Sequence, residues 1–255
     1  MTLLDVTGLT KTFSGITAVD DLSLAIEGGG LVGLIGPNGA GKTTVFNCVT
    51  GLLPIDAGTV RFKNEEITDD PVYERPRKGL VRTYQLTRVL GNMTVRENLH
   101  LAALDRPGEN ALSAIRRPER VRMREEAVAE RARDQLETFD LAGVADEYAS
   151  NISGGQQKLL ELARVLMNDP DLVLLDEPFA GINPTLEANI FDHVRALNER
   201  GTTFVVIEHD VEKLTELVDR LVVMDQGDVI ADGAPDEVVT DETVISAYLG
   251  GEVQP

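Results

Sequence analysis

Cysteine, tryptophan and lysine are scarce in this sequence, and each scarcity excludes something. The single cysteine, Cys48, cannot build an internal disulfide framework or a cysteine-rich zinc module. It fits a reducing compartment. No apolar run approaches the ~20 residues that a membrane-spanning helix needs. Met1 to Val6 lacks the basic start and long apolar stretch of a secretory signal. The chain is therefore expected to be soluble, or held at a membrane by a partner. Lysine occurs only at Lys11, Lys42, Lys63, Lys78, Lys158 and Lys213, so arginine supplies the rest of the 24 basic residues. Against them stand 43 acidic residues, for a formal charge of −19. That balance argues against a nucleic-acid partner, because phosphate backbones need a basic surface. Abundant carboxylates, few lysines and no tryptophan suit a halophilic surface that stays hydrated in concentrated salt. The alternative is an ordinary acidic protein.

What is present is a globular composition. At 255 residues and 42% hydrophobic content, the chain can bury a full core as one large domain or two lobes. Apolar runs at Leu3–Val6, Leu22–Ile26, Leu31–Ile35, Leu172–Leu175, Phe204–Ile207 and Leu221–Met224 predict strands. Helical patterns lie at Thr43–Thr50, Gly154–Met167, Thr185–Glu199 and Val211–Val218. The alternation predicts an α/β fold with a buried, largely parallel sheet. The early strands, with Gly28-Gly29-Gly30 and the Asp56-Ala57-Gly58 turn, read as an antiparallel lobe rich in hairpins. From about Met93 to Glu147 the alternation stops, and the Arg, Glu and Ala content predicts an inserted helical subdomain. Arginines and glutamates interleave at i,i+4 spacing within Arg116–Arg133, which reads as a self-paired solvated helix face rather than a basic docking surface.

The chemistry centres on Gly36-Pro37-Asn38-Gly39-Ala40-Gly41-Lys42-Thr43-Thr44, which fits G-x-x-x-x-G-K-[ST] between an apolar strand and a helical pattern. Glycines let the backbone curl so that several N–H groups face one phosphate chain. The following helix N-terminus adds a favourable dipole. Lys42 is expected to reach the β- and γ-phosphates, and the Thr43 hydroxyl to ligate Mg²⁺. Asn38, Gly39, Gly41 and Thr44 complete the cradle. Leu172–Leu175 ends in Asp176-Glu177-Pro178, which offers Asp176 as a Mg²⁺ carboxylate and Glu177 as general base toward water. Gln85 and His209 follow strand-like runs and are expected at the same sheet edge, within reach of a γ-phosphate or its water. His100 and His193 read as surface or packing residues, and Cys48 as a small buried hydrophobe.

Ile152-Ser153-Gly154-Gly155-Gln156-Gln157 resembles the LSGGQ signature of ATP-binding-cassette (ABC) ATPases, with Ile in place of Leu. The phosphate loop, Gln85, the signature, Asp176-Glu177 and His209 also occur in that family's order and at its usual separations. The resemblance covers essentially the whole chain. It implies an ABC nucleotide-binding domain: an α/β P-loop NTPase (RecA-like) core with an antiparallel β lobe and an inserted α-helical subdomain. Residues 1–92 and 160–255 would form the nucleotide-binding core lobe, and about 93–159 the helical signature subdomain. It further implies ATP and Mg²⁺ as cofactors, with Gln85 joining Thr43 and Asp176 at the metal and acting with Glu177 and His209 in hydrolysis. Phe13 matches the aromatic that stacks on adenine, with Val19 nearby. Ser153, Gly155 and Gln156 would serve the nucleotide of a second cassette in a head-to-tail homodimer or heterodimer. Asn183 in Gly181-Ile182-Asn183 departs from the family's usual Asp. The Gln85 groove would receive a helix from transmembrane permease subunits. An extracellular solute-binding protein would act indirectly, and the chain would sit peripherally at the cytoplasmic face of the membrane.

Finer detail is similar to the ATP-binding subunits of branched-chain amino-acid importers. The matching stretches are Thr44–Gly51, Val81–Gln85, Ala180–Pro184, Ile207–Asp210 and Val244–Gly250. Asn183 is itself typical of that group. Related cassettes for urea, short-chain amides or lipid export share much of the pattern. A soluble ABC ATPase of a non-transport system, a P-loop kinase and a binding-only regulatory cassette stay open as alternatives. The kinase leaves the signature unexplained, and Glu177 and His209 argue against the regulatory cassette.

Overall fold

The computed structural model describes residues 1–83, 89–103 and 118–249. Strands β1 (Thr2–Phe13), β2 (Ile16–Glu27) and β3 (Leu31–Ile35) lead into helix α1 (Lys42–Val49). Then come β4 (Ala57–Phe62), β5 (Glu65–Glu66), α2 (Glu74–Lys78) and β6 (Leu80–Arg82). Helices α3 (Val95–Ala102), α4 (Pro118–Thr138) and α5 (Gly154–Leu166) follow. The chain continues with β7 (Leu172–Asp176), α6 (Pro184–Glu199), β8 (Thr203–Ile207) and α7 (Val211–Leu217). It ends with β9 (Arg220–Asp225), β10 (Asp228–Gly233), α8 (Pro235–Val238) and α9 (Glu242–Leu249). The chain divides into two compact units, one of residues 1–85, 170–181 and 194–255, the other of residues 86–169 and 182–193.

The first unit holds both sheets. One has four antiparallel strands in the order β2-β1-β4-β5. On β2, Leu22, Leu24 and Ile26 are buried while Asp21, Ser23, Ala25 and Glu27 are exposed, the period-2 alternation of a sheet with one wet face. Ala57 and Gly58 lie inside β4, paired with β1, so the expected turn at Asp56-Ala57-Gly58 is a strand entry instead. The second sheet has the order β10-β9-β3-β8-β7-β6. Its β9, β3, β8, β7 and β6 run parallel, and β10 pairs antiparallel to β9. Every residue of β3, β7 and β8 is buried, which is why these strands read as unbroken apolar runs. Because β3, β8 and β7 are parallel neighbours, their C-terminal ends share one edge. Ligands of open α/β sheets bind at such an edge.

The second unit is helical, and α3, α4 and α5 pack on one another. Among its described residues the only β pairing is the single bridge Thr94–Tyr148, as the strandless reading of this segment expects. Asn98 is fully buried on α3 and fully used. It accepts from the Leu90 N–H at 2.8 Å and donates to the Leu90 and Thr94 carbonyls at 3.0 and 2.9 Å, which fixes the turn entering α3. On α4, Arg122 and Glu126 pair at 3.4 Å across one helical turn, on the solvated face. Residues 116–117 of the charged stretch lie outside the described residues.

Candidate nucleotide site

The loop between β3 and α1 turns where only glycine fits. Gly36 has φ 150°, and a Cβ there would sit 2.1 Å from the Met224 carbonyl oxygen. Gly41 has φ 100°, and a Cβ there would meet the Ala18 carbonyl oxygen at 2.5 Å. Both obstacles are backbone, so any side chain would displace the loop from β9 and β2. The loop closes on its own lysine, whose Nζ donates to the Gly36 carbonyl at 2.6 Å and the Pro37 carbonyl at 3.0 Å. Burial pushes the Lys42 ammonium below the usual lysine value, while Glu177 and Asp176 pull it back up. The first turn of α1, Lys42-Thr43-Thr44, carries no carboxylate, so the positive end of the helix dipole stays uncompensated by side chains there.

An open pocket of about 360 Å³ lies over this loop. The loop residues Asn38 to Thr44 line it, with Phe13, Ala18, Glu177 and His209. Phe13 is 41% exposed, at the end of β1. Lys11 pairs with Asp56 at 2.9 Å, and its ammonium lies 5.5 Å from the Phe13 ring centre. Asp56 also accepts from the Thr12 N–H at 2.7 Å, which anchors the residue just before the ring. Val19, expected beside the ring, is instead buried in the core, and Ala18 lines the pocket. Consecutive strand residues face opposite sides, so the expectation is off by one position.

Glu177 and His209 meet across the sheet edge, with Oε1 and Nε2 2.7 Å apart. Glu177 takes the left-handed conformation, φ 49°, and its N–H donates to the Ile207 carbonyl at 3.0 Å. Asp176 closes β7 and is buried. Its Oδ2 accepts from Arg82 Nη2 at 2.6 Å, and Arg82 Nη1 donates to Asn47 Oδ1 at 2.7 Å. The Arg82 guanidinium also lies 5.4 Å from the Phe46 ring centre. Sequence reasoning missed Arg82, although it stands three residues before Gln85 in a run already singled out. Gln85 itself lies outside the described residues.

Ser153, Gly155 and Gln156 belong to the helical unit and start α5. Ser153 Oγ accepts from the Gln156 N–H at 3.2 Å, and Gln156 Oε1 accepts from the Ser153 N–H at 3.0 Å, a reciprocal capping box. A Cβ on Gly155 would sit 2.4 Å from the Leu186 side chain, so glycine lets the start of α6 approach. Asn183 Oδ1 accepts from the Leu186 N–H at 2.9 Å, an N-cap that Asn fills as well as Asp.

The comparisons with known proteins agree with this geometry. The ABC transporter family model matches residues 19–180. A second model, described as branched-chain amino acid ATP-binding cassette transporter, matches residues 229–254. The Archaeoglobus fulgidus protein named probable branched-chain amino acid transport ATP-binding protein LivG is 38% identical over 252 residues, 99% of this chain and 97% of that protein. The ADP conformation of MJ1267, an ATP-binding cassette of an ABC transporter, superposes with a TM-score of 0.84 at 38% identity, covering 98% of this chain and 99% of that one. A dimeric post-hydrolysis state of the cassette MJ0796 bound to ADP and Pi gives 0.76 at 26% identity, covering 91% and 99%. With a phosphate loop, an acidic strand end and a His–Glu pair on one sheet edge, and with these likenesses over nearly its full length, the chain belongs to the ABC transporter family as a LivG-type ATP-binding cassette, an ATPase.

Proposed function

We propose that this chain is the ATP-hydrolysing subunit of an importer of branched-chain amino acids. The observation that carries the catalytic part is the pocket over Lys42, which brings Glu177 and His209 to the phosphate loop. In this reading the loop amides and Lys42 hold the β- and γ-phosphates of ATP, and Phe13 stacks on the adenine. Lys42 exchanges its two loop carbonyls for phosphate oxygens when the substrate enters. Glu177 accepts the proton of the attacking water, and His209 holds Glu177 Oε1 in line while touching the γ-phosphate. The donor set suits Mg²⁺: the Thr43 hydroxyl and the Asp176 carboxylate are hard oxygens, joined in this reading by Gln85, and Mg²⁺ takes few protein ligands beside phosphate and water. When bound, the ion would neutralise charge on the β- and γ-phosphate oxygens.

The helix start at Ser153 supplies backbone N–H groups and a dipole for a second phosphate chain, more than one nucleotide needs. The dimeric state of the MJ0796 cassette supports a dimer, which we read as head-to-tail, with Ser153, Gly155 and Gln156 closing over the partner's nucleotide. We read residues 1–92 and 160–255 as the nucleotide-binding core lobe and about 93–159 as the signature subdomain; the two compact units support a two-part division, with residues 86–92, 160–169 and 182–193 grouped with the helical unit. Among the described residues no helix is long and apolar enough to cross a membrane. We assign membrane contact to permease subunits, with the Gln85 region as their receiving groove and an extracellular solute-binding protein beyond them. The charge of −19 with six lysines supports a protein suited to high salt. The LivG likeness and the match at 229–254 support the solute class. The test is ATP-driven leucine uptake into proteoliposomes holding this chain with its permease partners. Uptake of urea or a short amide, and not leucine, would overturn the solute assignment.

A further inference from the structure

Glu208 has no part in the chemistry set out above, yet it is a carboxylate only 6% exposed, directly after the wholly buried strand β8. A charge in that position persists only when its oxygens are hydrogen-bonded. Its two oxygens serve two different backbone stretches. Oε1 accepts from the Phe179 N–H at 2.9 Å, and Oε2 accepts from the His209 N–H at 3.2 Å. Phe179 stands two residues after Glu177, whose own N–H is held by the Ile207 carbonyl at 3.0 Å. The end of β8 therefore grips the loop on both sides of Pro178. Glu177 needs that grip, because a non-glycine residue at φ 49° keeps its conformation only where its surroundings over-determine it. Burial pushes the Glu208 carboxyl up, and the two backbone donors oppose that by favouring the ionised form.

We propose that Glu208 is a positioning residue whose carboxylate ties the Glu177 loop to the His209 backbone and so sets the 2.7 Å contact between the two side chains. The proposal rests on the reading of Glu177 as the base. Glu208→Gln keeps the size but turns one acceptor into an NH₂ facing a backbone N–H, so one of the two ties is lost. Glu208→Asp keeps the charge and draws it back by one methylene. Misplacing a catalytic group by about 1 Å can cost about 100-fold in rate. The phosphate loop, which holds the nucleotide, is a separate segment and stays intact.

The test assays the full-length chain and its Glu208→Gln, Glu208→Asp and Glu177→Gln variants side by side for steady-state ATP hydrolysis and for binding of a fluorescent ATP analogue. The expected result is a kcat loss of about 10- to 100-fold in Glu208→Gln, with KM for ATP and analogue affinity within about twofold of wild type. Glu208→Asp falls between the two. Wild-type kcat in Glu208→Gln overturns the proposal, and so does a loss of affinity in step with kcat, which marks general loosening. Where Glu208→Gln fails to fold, Glu208→Asp is judged by the same criteria. A silent Glu177→Gln beside a fully active Glu208→Gln removes Glu208 alone. An active Glu177→Gln removes the base reading itself.

Discussion

Replacing Arg82 by Met should destabilise the protein far more than loss of a surface ion pair. The Arg82 and Asp176 side chains are 5% and 6% exposed, and they meet at 2.6 Å. Arg82 also donates to Asn47 at 2.7 Å, so one guanidinium joins β6, β7 and α1. Methionine matches the stem and keeps packing on Phe46 but leaves the Asp176 carboxylate buried without its partner. Breaking a buried pair from one side costs about 3–5 kcal/mol, against roughly 0–1 kcal/mol for an exposed pair. For a chain of this size that corresponds to a fall in Tm of roughly 6–20 °C. Thermal and urea unfolding of Arg82→Met, Asp176→Asn and the double variant supply the assay. The double variant removes the stranded charge and should be less destabilised than the sum of the singles, by about 1–3 kcal/mol. A cost below about 1 kcal/mol for Arg82→Met, or strict additivity, would mean that the buried pair is no stronger than an exposed one.

Three further outcomes follow from other parts of the molecule. Cys48 is 1% exposed and burial pushes its thiol up to about 11, so it should resist thiol reagents at pH 8 in the folded protein and react on unfolding; rapid labelling of the native chain would contradict this. His193 packs on Phe139 with ring centres 4.7 Å apart, and burial lowers its pKa below the ordinary 6.5. A depressed folded-state value gives stability that is full above the unfolded pKa and is lost as pH falls through the folded one, so His193→Gln should flatten the decline in urea midpoint below pH 6.5, and an unchanged slope would count against it. If the acidic surface is an adaptation to salt, molar KCl should raise Tm and ATPase activity together, whereas full stability and activity in low salt with no gain would discard the halophilic reading.

How much was legible in the sequence depended on whether the signal was local. The phosphate loop compresses its chemistry into nine consecutive residues, so Lys42, Thr43 and their glycines could be named from spacing. Strands β3, β7 and β8 are buried on both faces and announced themselves as apolar runs. Strand β10 did not, because Asp228–Gly233 is an edge strand with half-exposed residues and two aspartates. The Arg82–Asp176 tie joins residues 94 positions apart, and no local pattern reveals such a partner. Glu208 left one faint trace, a charge at the end of an apolar run, and its purpose became visible only when the Phe179 amide came to face it.

In the proposed mechanism Glu177, held by His209 beside the phosphate loop, is the base for ATP hydrolysis. Glu177→Gln is the decisive variant, since the amide keeps the shape of the carboxylate but cannot take a proton. ATP affinity should stay within about twofold of wild type while turnover falls by about 100- to 10,000-fold. Substantial steady-state hydrolysis by that variant would contradict the base role of Glu177.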